Sequence, residues 1–87
     1  MDNVLFCDGH DNAFIGLMWR FGHDKPIAAY SQDKIIENLI QDGMTFEEAQ
    51  EYFEFNIIGA WVGSGTPCFI ENISIEEAKE RAQEYEV

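Results

Sequence analysis

The chain is organised around residues 43–70, which read GMTFEEAQEYFEFNIIGAWVGSGTPCFI. Gly43 is suited to end one helix, because glycine readily takes the left-handed conformation found just beyond helix C termini. Thr45 is suited to cap the next helix, with Glu48 as its capping-box partner three residues later. This central helix is predicted to run from Thr45 to about residue 60. Apolar residues recur along it at offsets of three and four and share one face: Phe46, Ala49, Phe53, Ile57 and Ala60.

Acidic residues occupy another face of the same helix. Glu47, Glu51 and Glu54 are four and three residues apart, so they line up on the outside. Asn56 lies at the edge of the apolar face, where a buried amide needs hydrogen-bond partners. We expect it to hold the following loop in place, with contact to a ligand as the alternative. Gly59 indicates close packing of another element or an early helix end, since glycine inside a helix costs about 1 kcal/mol.

A long pattern covers residues 42–67, D-G-M-T-x-E-E-A-x-E-Y-F-x-F-N-x-x-G-A-W-V-G-x-x-T-P. It resembles a pattern of small phage- or prophage-encoded proteins of uncharacterised function. Residues 30–40 fit the strand and helix expected upstream, so the resemblance covers about half of the chain. It implies a viral or prophage origin, and it transfers no activity and no catalytic residue.

Short strands are predicted before this segment, over residues 3–7, 13–21 and 27–30. The second is ambiguous, because its apolar residues also fit helical spacing, but its aromatic content and internal Gly16 favour a strand. Turn-forming residues 22–26 would then join the last two strands as a hairpin. A helix follows from Ser31 to about Gln41. Its predicted buried face consists of Ile35, Ile36, Leu39 and Ile40.

The C-terminal part is predicted to form a strand over residues 68–70 and a last helix capped by Ser74 and Glu77. Ile75, Ala78, Ala82 and Tyr85 are expected to face inward, and Glu76, Glu80 and Glu84 outward. Because strands and helices are mixed rather than alternating, the fold class is α+β. We expect a single domain over residues 1–87, with a short antiparallel sheet of three to four strands packed against two to three helices.

The charge is strongly negative, at −12 for 87 residues. Residues 1–36 hold five acids and three bases (net −2), and residues 37–87 hold twelve acids and two bases (net −10). Direct binding to nucleic acid or to an anionic membrane is disfavoured, because both require Lys and Arg. A basic protein partner is compatible with this charge. Solubility alone is the competing explanation of the acidity.

Compartment and redox state follow from what the sequence lacks. No apolar run approaches the roughly 18 residues of a membrane span, and no basic, apolar signal peptide opens the chain. The expected location is the cytoplasm of a host cell. Two cysteines, Cys7 and Cys68, are too few for a disulfide framework and lie among apolar neighbours, which is typical of reduced structural thiols.

Catalytic and metal-binding patterns are weak. Gly-His-Asp occurs at residues 9–11 and 22–24, but a strand between them would separate His10 from His23 by roughly 30 Å. We therefore expect no metal and no cofactor. Neither cysteine has the flanking residues of an activated nucleophile. The loop at residues 62–66 lacks a Walker lysine. The protein is thus expected not to be an enzyme.

The function expected from the sequence is binding to a host or phage protein, with a basic nucleic-acid-binding surface as the preferred target. Under this hypothesis the chain acts as a DNA mimic or as an inhibitor of a nucleic-acid-binding defence protein. The expected partner-binding residues are Glu47, Glu51, Glu54, Glu76, Glu80 and Glu84. A small ligand-binding or enzymatic accessory protein is one alternative, using the loop at residues 63–67. Its expected contacts are Asn56, Trp61, Ser64 and Thr66. A self-associating structural module is the other alternative.

Overall fold

A computed structural model describes residues 4–59 and 63–85 of the chain. A 3-10 turn at Asp11–Ala13 precedes strands β1 (Phe14–Met18) and β2 (Ile27–Ser31). Helices α1 (Gln32–Gln41) and α2 (Phe46–Tyr52) follow, and α2 continues directly into a π-helix at Phe53–Ile58. Strand β3 (Cys68–Ile70) and helix α3 (Ile75–Tyr85) complete the described elements. The α+β class predicted from the sequence is confirmed.

The three strands form one sheet in the order β1-β2-β3. Strands β1 and β2 form the predicted antiparallel hairpin, with a bulge between Phe14 and Gly16. The sheet is mixed, however, because β3 runs parallel to β2. A parallel neighbour requires a long crossover, and residues 32–67 with their two helices provide it. The central strand β2 is buried on both faces from Ile27 to Tyr30.

Residues 4–7 are not a strand, so this part of the first predicted strand is wrong, and Asn3 lies outside the described residues. The segment is fixed by two isolated hydrogen bonds. The Leu5 amide donates to the Gly65 carbonyl at 3.3 Å. The Cys7 amide donates to the Tyr30 hydroxyl at 2.8 Å. These bonds tie the segment to a loop and to a side chain, which explains why no ladder of strand pairing develops.

The core lies between the sheet and the first two helices. Tyr30, Ile35 and Phe53 are its largest fully buried side chains. Phe53 meets the Phe69 ring edge-on, with the ring centroids 5.3 Å apart. Around these residues lie the other members of the buried cluster: Ala13, Ala28, Ile36, Leu39 and Ala49. The central helix and α1 therefore pack as the sequence predicted for most of their apolar positions.

Two predicted core positions are wrong. Ile40 is 39% exposed, because each residue turns the helix by about 100° and Ile40 falls to one side of the face centred between Ile35 and Leu39. Phe46 is exposed because it lies one turn nearer the N terminus than Ala49. It lines a surface groove together with Ile40 rather than packing under the sheet. Ala60, the last predicted member of that face, lies outside the described residues.

The start of the central helix is as predicted. Thr45 Oγ1 accepts from the Glu48 amide at 3.2 Å, and the Glu48 carboxylate accepts from the Thr45 amide at 2.9 Å. Its end, at Gly59, is close to the predicted position. A Cβ at Gly59 would lie 3.0 Å from the Glu54 carbonyl oxygen and 3.2 Å from that of Phe55. Glycine is therefore favoured here, because a Cβ would crowd two carbonyl oxygens of the preceding helical turn.

Helix α3 differs most from the prediction. Ser74 Oγ accepts from the Glu77 amide at 3.1 Å, as a helix cap should. None of the described α3 residues is buried, however, and Ile75 and Tyr85 are 63% and 74% exposed. The inward orientation predicted for Ile75, Ala78, Ala82 and Tyr85 is wrong, because α3 follows the sheet without packing its apolar stripe into the core. Within residues 4–59 and 63–85, no helix is long and apolar enough to cross a membrane.

Candidate functional site

The outer side of the central helix carries three carboxylates without counterions. Glu47, Glu51 and Glu54 are all exposed. None of them forms an ion pair with another residue of the described chain. The adjacent Glu48 differs, because its carboxylate is engaged in the helix cap. The three unpaired side chains thus project negative charge into solvent from one helical face, as predicted.

Aromatic side chains lie beside these carboxylates, and this was missed in the sequence. Phe55 is 74% exposed, and Tyr52 is also exposed. A shallow pocket of about 300 Å³ is lined by Met44, Glu48, Glu51, Tyr52, Phe55 and Asn56. Carboxylates beside aromatic rings suit the cationic side chains of a partner, which pair with the former and stack on the latter. The sequence EEAQEYFEF already indicates this arrangement, because its aromatic residues lie next to its glutamates.

The second predicted acidic face lies on α3. Glu76, Glu80 and Glu84 are exposed and form no ion pair within the described residues. Arg81 is engaged instead with Glu71, whose two carboxylate oxygens accept from its guanidinium at 3.0 Å each. This hydrogen bonding holds the pKa of Glu71 below its ordinary value and raises the pKa of Arg81. Arg81 also lies 3.8 Å from the Glu77 carboxylate, so its charge is shared by Glu71 and Glu77 rather than by the three predicted glutamates.

A larger cavity, of about 730 Å³, lies toward the end of the π-helix and adjoins the pocket beside Phe55, with Tyr52 and Asn56 lining both. It is enclosed by the N-terminal segment, the end of α1, the π-helix and the residues before β3. The cavity brings together Asn56 and Thr66, two of the four predicted loop contacts. Ser64 is exposed in the preceding turn and does not line it, and Trp61 lies outside the described residues. The remaining lining residues are Leu5, Phe6, Cys7, Asp8, His10, Leu39, Asp42, Tyr52, Ile57, Pro67 and Phe69.

Asn56 does not have its expected structural role. Its side chain is exposed, and it forms no hydrogen bond in the part of the chain that the structure describes. The turn before β3 is closed instead by Thr66, whose amide and hydroxyl both donate to the Gly63 carbonyl, at 3.1 and 2.6 Å. The expectation that Asn56 holds the loop is therefore wrong, and its amide faces the cavity with its hydrogen-bonding capacity unused.

His10 is held firmly at the cavity wall. Its Nδ1 lies 3.1 Å from the Asn38 side-chain amide nitrogen. Asn38 is itself paired amide to amide with Asn12, through bonds of 3.0 and 2.8 Å. When Nδ1 accepts from Asn38, the ring proton resides on Nε2. His23 lies beyond the opposite end of β1, and no group of three metal-ligating side chains occurs in residues 4–59 and 63–85.

The thiols are not activated. Burial raises the pKa of Cys7, which lines the cavity with His10, and burial likewise raises the pKa of Cys68. Cys68 Sγ lies 3.6 Å from Met18 Sδ, across β2 on one face of the sheet. Since the thiolate is the nucleophile, a raised pKa favours the inert thiol at neutral pH.

The sequence and the fold were compared with protein-family models, with curated proteins and with solved structures, and none of the three comparisons gives a match.

Proposed function

We propose that this protein is a non-enzymatic, phage-encoded acidic protein that binds a basic protein surface in the host cytoplasm. The observation that carries the proposal is the row of unpaired carboxylates Glu47, Glu51 and Glu54, bordered by exposed aromatic rings. A surface that binds nucleic acid offers Lys and Arg at intervals set by the phosphates, and such a surface is the target class that this row fits best.

The spacing of the row supports mimicry of nucleic acid. Glu47 and Glu51 are separated by about 6 Å along the helix axis, because an α-helix rises about 1.5 Å per residue. Successive phosphates of one DNA strand advance by about 3.4 Å along its axis. The carboxylate spacing is thus nearly twice the phosphate rise, so the row offers roughly one carboxylate for every second phosphate. The net charge of −12 adds a long-range field that speeds encounter with a basic partner.

The proposal is tested with two triple variants of equal charge. One replaces Glu47, Glu51 and Glu54 by Gln, and its control replaces three exposed carboxylates outside α2 and α3, Asp11, Asp24 and Asp33, by Asn. Binding is measured to basic proteins retained from a bacterial lysate, with duplex DNA as the competitor. We expect the Gln variant to lose binding, the Asn variant to keep most of it, and DNA to displace the parent protein.

Equal losses in both variants would show that total charge, rather than the face formed by Glu47, Glu51 and Glu54, determines binding. Unchanged binding in the Gln variant would refute the proposal. The raised pKa values of both thiols support the non-enzymatic part of it.

A second candidate function is favoured by the cavity around Asn56 and Thr66. Its volume of about 730 Å³ lies within the range of small-molecule sites, about 300–1,000 Å³. Binding of a small ligand there would make the protein a ligand-binding accessory protein, with or without the acidic face.

A further inference from the structure

The cavity at the end of the π-helix has an apolar floor and a polar rim. Leu39 is buried in the core cluster, and Ile57 and Phe69 pack against that cluster from the cavity side. Leu5, Phe6 and Pro67 extend this apolar lining toward the opening. A ligand that fills the site therefore needs an apolar body, because apolar surface gains about 25 cal/mol for each Å² removed from water.

The charged residues that line the cavity favour a ligand with positive charge. Asp8 and Asp42 line the cavity from two sides, and both are exposed. Among the lining residues in 4–59 and 63–85 there is no Lys or Arg. His10 also lines the cavity, with its Nδ1 directed to the Asn38 side-chain amide. A phosphate or carboxylate ligand would be repelled, whereas an ammonium group would be attracted by both carboxylates and by the field of the whole chain.

Aromatic rings and one unused amide define the ligand further. Phe6 and Tyr52 are both partly open to solvent where they line the cavity, so a flat ring could cover them. The faces of these rings also attract a cation. Asn56 offers both a donor and an acceptor, and neither is used within the described chain.

From these four features we propose that the cavity binds a small organic cation with a flat aromatic body, that is, an arylalkylamine. The ammonium group lies between Asp8 and Asp42, and the ring lies on the apolar floor against Phe6 and Phe69. Tyr52 and Asn56 also line the pocket beside the acidic glutamates, so this site adjoins the proposed protein-binding face.

Four matched probes test the ligand class by calorimetry and by amide chemical shifts. 2-Phenylethylamine carries both groups, 2-phenylethanol lacks the charge, 3-phenylpropionate reverses it, and propylamine lacks the ring. We expect 2-phenylethylamine to bind most tightly and 3-phenylpropionate not to bind. Shifts should be concentrated at residues 5–8, Asn56 and Phe69. Equal binding of the amine and the alcohol, or shifts concentrated elsewhere, would overturn the proposal.

Three variants test the site itself. Asp42→Asn should weaken 2-phenylethylamine binding about fivefold, the effect of losing one charge partner near a surface. Asp24→Asn removes the same charge from a turn outside the cavity, so it should leave the affinity nearly unchanged. Asn56→Lys places a cation at the cavity wall on an exposed helical position and should abolish binding while circular dichroism shows an intact fold. Equal effects of Asp42→Asn and Asp24→Asn would mean that only total charge attracts the amine.

Discussion

At the scale of single residues, Phe53 and Phe55 are the sharpest contrast in the molecule. They are two positions apart in one π-helix, yet Phe53 is 1% exposed and Phe55 is 74% exposed. We expect Phe53→Ala to lower the free energy of unfolding by about 3–5 kcal/mol, a large part of the total for a domain of this size. Phe55→Ala, the matched control, should change it by less than about 0.5 kcal/mol. Chemical denaturation measures both, and a reversed order would place the wrong face of the helix in the core.

Two partly buried thiols and one buried phenol give the fold a dependence on alkaline pH. Burial raises the pKa of Cys7, of Cys68 and of Tyr30 above the ordinary value of each group. The folded chain therefore keeps protons that the unfolded chain releases, and linkage makes stability fall as pH rises. The contribution is complete below about pH 9 and is lost as the pH passes through the raised values.

This pH dependence is measured by urea denaturation at about pH 8 and about pH 10.5. The parent protein should lose stability between the two. A double variant with Cys7→Ala and Cys68→Ala should lose less, because only the Tyr30 contribution remains among the three groups. An identical loss of stability in the parent and the variant would show that groups other than the two thiols cause the destabilisation at alkaline pH.

At the scale of elements, α3 should be dispensable for the fold. None of its described residues is buried, so removing it exposes little core. A chain ending at Ile73 should unfold cooperatively. Its denaturant midpoint should differ from that of the parent chain by less than the midpoint of Phe53→Ala does. Loss of the cooperative transition would mean that α3 covers part of the sheet. The parent chain is the reference, measured under the same denaturant series.

The elements also show what the sequence could and could not predict. Caps and helix-ending signals are local, and they identified the starts of α1, α2 and α3 at Ser31, Thr45 and Ser74. An apolar stripe identifies which face of a helix is apolar, but it does not identify a surface that covers that face. For α1 the sheet covers it, and for α3 it remains exposed. The parallel direction of β3 was likewise a property of the crossover, and three residues carry no signal for it.

At the scale of the whole molecule, charge and apolar surface oppose each other. The edge strand β1 exposes Ile15 and Leu17, and Trp19 and Phe21 beyond it are exposed too. Such an edge favours self-association, which the charge of −12 resists. The same charge should make association with a basic partner fast at low salt and much slower above about 0.3 M, where screening shortens the field to several ångströms. Stopped-flow association rates over a salt series measure this, and a salt-independent rate would assign the contact to the apolar surface instead.

The two candidate sites differ in how far the sequence could predict them. Charge is a sum over residues, so the acidic face of α2 could be read from composition and periodicity alone. The cavity is formed by four segments that are distant in sequence, from Leu5 to Phe69, and no local pattern contains it. Of the cavity's polar residues, the sequence predicted only Asn56, from its place at the edge of an apolar helical face, and Thr66, from its place in the glycine-containing loop. Asp8, Asp42 and His10 of the cavity have the sequence context of ordinary turn residues.

The π-helix at Phe53–Ile58 has a consequence for how the chain tolerates changes in length. A π-helical turn holds more residues than an α-helical turn, because its bonds join residues five apart rather than four. Removing one exposed residue from 54–56 would let the segment continue as an ordinary α-helix, with Phe53 still in the core. The π-helix thus contains one residue more than an α-helix would need over the same length. We expect natural variants to tolerate a one-residue deletion here while keeping the same sheet, the same core and the acidic residues that precede it.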